Sequence, residues 1–155
     1  MDEQQFLETW EIHNRINLYL LDAIAPSSLA DYSASKGRSV AEQFAHLHNV
    51  RLMWLKAAAA DLLEGLEKIE KQQAGDQNLL RQSLLASGAA MRTLFSRSLA
   101  GDGKVKSFKP NVVAFLGYLI SHESHHRGQI LLTLKQSGHP VDKKTQYGIW
   151  EWGVR

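Results

Sequence analysis

Apolar residues recur every three to four positions through four long segments of this chain, and no stretch alternates with period two for long enough to build a sheet. Each segment therefore has one apolar face, which it must bury against another element. The first segment, about 2–24, carries Phe6, Trp10, Ile16, Leu20 and Ile24 at helical spacing. A loop rich in Ser and Ala, APSSLADYSASKGRS, follows it. The second helix is expected over about 39–63, with Ser39 as N-cap because Glu42 stands three residues on, as in a capping box. The third spans about 76–99 and stops at the glycines of AGDGK. The fourth runs over about 110–137, with Pro110 in its first turn and Gly138 as its C-terminal stop. The charged stretch 64–77 reads as a connection and 138–155 as a tail. Four long amphipathic helices in 155 residues predict one all-α domain, a four-helix bundle.

The chain has no cysteine, so any transition metal must be held by His, Asp or Glu. That absence suits a reducing cytoplasm. The formal net charge of +2 comes without a compact basic block, which argues against nucleic-acid binding. Lys104, Lys106 and Lys109 read as a solvated loop. The opening MDEQQFLETWE is acidic and amphipathic, unlike a signal peptide, and no apolar run approaches the ~20 residues of a membrane span.

Three of the seven histidines fall within SHESHHRGQ, residues 121–129. His122 and His126 are one helical turn apart and share a face with Phe115, Leu119, Ile130 and Thr133. Two histidines turned toward a core need partners, and one metal ion would satisfy both; hydrogen-bonded core histidines are the plain alternative. His125 lies off this stripe, nearer the polar side. The string His122-Glu123-Ser124-His125-His126 literally matches the zinc-protease pattern H-E-x-x-H, but a peptidase is not the expected reading. The extended motif requires Gly at 129 and His at 132, where this chain has Gln129 and Leu132. No strand is expected to bind a peptide either. A third ligand is available on the second helix, where His46 and His48 flank the stripe Val40, Phe44, Leu47, Val50 and Trp54 on opposite sides. Helical geometry does not choose between them. His13 and His139 are further candidates, with His139 expected in an exposed turn.

The strings AEQFAHLHNVRLMWL and LISHESHHRGQILLTLKQSG together resemble the DinB/YfiT-like superfamily of bacterial metal-binding four-helix bundles. The specific part is H-x-x-x-H-R-G-Q-[IL], His122 to Ile130. Ala45-His46-Leu47 ahead of Trp54, and the ending YGIWEWG, are its weaker companions. The resemblance implies an up-down-down-up bundle, with 64–77 as the crossover, and often a homodimer. It also implies three ligands, which by position are His46, His122 and His126. Three imidazoles leave a coordination position open, the layout of a catalytic zinc site. The ion expected is a divalent transition metal, Zn²⁺ or Ni²⁺. Superfamily members include transferases that use low-molecular-weight thiols, so a metal-dependent enzyme acting on a thiol or another small molecule is the leading expectation. A non-catalytic metal-binding or stress-response module is its rival. Glu123 follows His122 as a general base would, but it is turned about 100° from His122 around the helix, which suits a supporting or surface carboxylate equally. Arg127 is expected to brace a helix or pair with an acid, Gly128 to allow close helix approach, and Gln129 to orient a ligand.

Overall fold

A computed structural model describes residues 2–155, which are all-α, with no strand among them. Four long helices, α1 (Glu3–Asp22), α2 (Val40–Ala58), α3 (Gln77–Ala100) and α4 (Val112–Gln136), are followed by a short α5 (Lys143–Gly148). Each long helix begins at a side-chain cap. Asp2, Ser39, Asp76 and Asn111 accept hydrogen bonds from the amides of Gln5, Glu42, Leu79 and Ala114. The capping box at Ser39 is complete: Glu42 also accepts from the Ser39 amide at 2.8 Å.

Several expected boundaries shift. The second helix ends at Ala58 rather than 63, and Ala60–Leu63 forms a separate 3-10 turn after Ala59 takes φ −156° and ψ 69°. Alanine favours helix, but Ala59, Leu62, Leu63 and Leu66 fold back onto the core around Phe95 and Phe115, and packing overrides propensity. Pro110 precedes the fourth helix, outside its first turn, because Asn111 supplies the cap. Gly138 lies just past the end of α4 with φ +80°, where glycine is least strained. The expected tail contains α5, capped by Asp142.

Residue pairs along the helices fix their packing. Glu3 meets Ser96, Glu11 meets Arg92 and Asp22 meets Arg81, so α1 and α3 run antiparallel. Gln43 meets His126 and Gln129, while Trp54 packs on Phe115, so α2 and α4 also oppose each other. The apolar core forms two clusters. One gathers Ile16, Leu20, Phe44, Leu47, Leu84 and Ile130; the other gathers Trp10, Leu55, Met91, Phe95, Phe115 and Leu119. Fully burying one such side chain stabilises by about 1.5–3 kcal/mol.

A buried polar layer lies between the two clusters along every long helix. His13 falls between Trp10 and Ile16, Arg51 between Leu47 and Leu55, Ser87 between Leu84 and Met91, and Glu123 between Leu119 and Ile130.

Candidate metal centre

The antiparallel contact of α2 and α4 sets Gln43 and His46, one turn apart on α2, against His122, His126 and Gln129, successive turns of α4. The rings of His46, His122 and His126 converge, with centroids 5.3 Å apart for His46–His122, 4.6 Å for His46–His126 and 4.7 Å for His122–His126. One nitrogen from each lies within 4.8 Å of the others. Nitrogens bound to a single tetrahedral zinc at ~2.0–2.1 Å sit about 3.4 Å apart, so small ring rotations would bring all three onto one ion. His126 is buried and the other two are half-buried.

Hydrogen bonds orient the cluster. Gln43 donates through Nε2 to Gln129 Oε1 at 3.1 Å, which turns its Oε1 to His126 Nδ1 at 2.5 Å. A carbonyl oxygen only accepts, so Nδ1 carries the proton and His126 Nε2 is left with the free lone pair. His122 Nδ1 is buried and has no hydrogen-bond partner among the described residues. The Tyr118 ring lies nearly parallel to that of His122, tilted by 12°.

All three imidazoles are held neutral. Burial, then Arg38, then His122 lower His46 to about 4. Burial, the neighbouring histidines and Arg38 lower His126 to about 4. His122 is lowered too, chiefly by burial. Neutral imidazole is the form that binds a metal ion. An orphaned buried nitrogen, a tautomer fixed by an amide and three unprotonated rings thus form a donor set suited to a divalent transition metal.

The remaining histidines are occupied elsewhere. His48 is buried against the 64–70 connection, its Nε2 donating to the Glu67 carbonyl at 2.8 Å. His139 pairs with Asp31 at 2.7 Å in an exposed setting, and His125 is exposed. His13 belongs to the buried polar layer.

Glu123 corrects an expectation. It is neither a surface group nor a member of the histidine cluster: it is 1% exposed and points into the bundle. Arg51 grips it through both oxygens at 2.7 and 2.8 Å, and His13 and Asn17 donate to it at 2.8 and 2.7 Å. Burial alone would raise its pKa, but the Arg51 guanidinium and the donated hydrogen bonds hold it far below the ordinary carboxylate range. Buried, with its charge held by Arg51 and four donated hydrogen bonds, one to Oε1 and three to Oε2, it has little basicity to offer as a catalytic base. Arg127 braces the same layer as expected, donating to Asn17 at 2.6 Å and Ser124 at 2.8 Å. Gly128 is exposed, and a Cβ there would meet nothing, so it serves no close approach.

Sequence reading missed Arg51, Gln43 and Arg38. Arg51 continues the spacing Phe44, Leu47, Arg51, Leu55, which was a usable signal overridden by the rule that arginine stays outside. Gln43 stands three residues before His46, on its face. Arg38 had no sequence signal, because only loop closure brings it to the histidines.

The family model described as the DinB family matches residues 1–151 of the chain. No curated protein matches it.

Proposed function

The chain belongs to the DinB family, and from that premise we propose that His46, His122 and His126 bind one divalent transition-metal ion, Zn²⁺ or Ni²⁺, with at least one coordination position left open. The carrying observation is the convergence of three neutral imidazoles whose nitrogens lie within 4.8 Å of one another. We read the chain path as the family's up-down-down-up bundle. The ladders between helices support this, including Arg51 against Leu84 and Ser87, and Asp61 just past α2 against Arg97 near the end of α3.

Bound there, a divalent ion would supply a Lewis-acidic position that holds water or a thiolate at neutral pH. The chain's own residues do the rest. Gln43 holds the His126 ring and its proton in place. Arg38 and burial keep the imidazoles unprotonated. The Arg51–Glu123 pair ties α2 to α4, on which the ligands stand. The activity we propose is a metal-dependent group transfer in which a small thiol takes part, the class the resemblance implies, carried out by a homodimer.

Elemental mass spectrometry of protein purified without a metal-affinity step tests the centre. About one equivalent of transition metal is expected in the wild type, and none in His126→Ala. A wild type that stays metal-free after incubation with Zn²⁺ and Ni²⁺ would refute the reading.

A further inference from the structure

Beside His46 a cleft of about 540 Å³ opens between the start of α2 and the 64–77 connection. That size lies within the range of ~300–1,000 Å³ usual for small-molecule sites. Arg38, His46, Lys68, Lys71, Glu42 and Glu70 line it. The acidic groups there are already engaged. Glu42 lies 3.4 Å from Lys71 and also accepts from the Ser39 amide, and Glu70 lies 3.3 Å from Lys68. Asn49 is occupied as well, exchanging two hydrogen bonds with the Ile69 backbone.

Arg38 is different. It is exposed, has no carboxylate partner among the described residues, and lines the same cleft as His46. Its place is fixed by the chain around it: the Val40 amide donates to the Asp31 carbonyl at 2.9 Å, and Tyr32 bridges to Ser39. The loop is thereby closed directly ahead of the capped helix that carries His46. A guanidinium carried on such a loop, lining the same cleft as His46, is arranged for a ligand with two ends, one on Arg38 and the other at the proposed centre.

We propose that Arg38 and the cleft beside His46 bind the carboxylate of a small anionic substrate and present its other end to the three histidines. The proposal deepens the metal-centre reading and rests on it. A carboxylate fits better than a phosphate. One planar guanidinium matches one carboxylate in a bidentate pair, whereas the two lysines that would share a phosphate dianion are paired with Glu42 and Glu70.

The test uses Co²⁺-loaded protein and two thiols of equal length, 4-mercaptobutyrate and 4-mercaptobutan-1-ol. Sulfur-to-cobalt charge-transfer absorption reports binding of each. The acid is expected to bind about tenfold tighter than the alcohol, the usual worth of a charge-assisted hydrogen bond. Arg38→Ala should erase that preference, leaving acid and alcohol with equal affinities, and Arg38→Lys should restore part of it. Equal affinities in the wild type would overturn the proposal. So would a preference that survives in Arg38→Ala, since the acid would then be chelating the ion. The cobalt ligand-field spectrum is scored separately, and its absence would sink the metal-centre reading itself.

Discussion

The Nδ1 atom of His126 donates to Oε1 of Gln43 over 2.5 Å, across the contact between α4 and α2. This one bond decides which nitrogen of His126 is free. It depends in turn on Gln129, which takes the other end of the Gln43 amide. Replacing Gln43 with Ala should leave the fold intact and weaken Zn²⁺ binding by about 10–100-fold, the usual cost of losing a group that orients a ligand. Competition with a chelator of known affinity measures it, and unchanged affinity would remove Gln43 from the centre.

His46 and His48 should separate cleanly. His46→Ala is expected to abolish metal uptake. His48→Ala should keep it and lose about 1 kcal/mol of stability with the Glu67 hydrogen bond. Loss of metal only in the His48 variant would reverse the assignment.

The buried pair of Arg51 and Glu123 predicts an asymmetry. Removing one partner, as in Glu123→Gln, leaves Arg51 and Arg127 buried without a counter-charge and should cost about 3–5 kcal/mol. Replacing both with leucine should cost much less than the sum of the two single changes. Urea unfolding of the two singles and the double measures the coupling, and additive losses would contradict it.

Acid should destabilise the protein in two stages. The unfolded chain takes up protons at its histidines near 6.5, but folded His46 and His126 resist until about 4, so stability falls as pH drops through that window. Glu123 has a depressed folded pKa. Its contribution is complete above the ordinary 4.5 and is lost as pH falls further. Urea midpoints measured across this range should show both limbs. Replacing His46 and His126 together should flatten the upper one, and metal release should set in only as pH falls to about 4, where the folded ligands protonate.

Gly88 should tolerate no side chain. A Cβ there would collide with the Asn14 amide, which accepts from Arg51 at 2.9 Å and donates to the Leu84 carbonyl at 3.3 Å. Gly88→Ala is expected to destabilise by about 1–3 kcal/mol despite the higher helix propensity of alanine. A stabilised variant in thermal unfolding would show that Asn14 can move freely.

The helices were legible because their causes are local. Spacing of Phe6, Trp10 and Ile16, the Ser39–Glu42 box, Asp76 before α3 and Gly138 after α4 all act within a few residues of chain. The adjacency of His122 and His126 was legible for the same reason, since a helical turn alone puts them on one face. Which third histidine joins them is not a local matter. His46 and His48 sit symmetrically about the apolar stripe of α2; the resemblance named His46, and the physical reason is the placement of α4 on one flank and the 64–70 connection on the other. The burial of Glu123 likewise needed α1 and α2 to bring His13, Asn17 and Arg51 around it. A carboxylate has no reason of its own to be buried. It is buried where partners from three helices offset its desolvation, and those partners are assembled only by the tertiary fold.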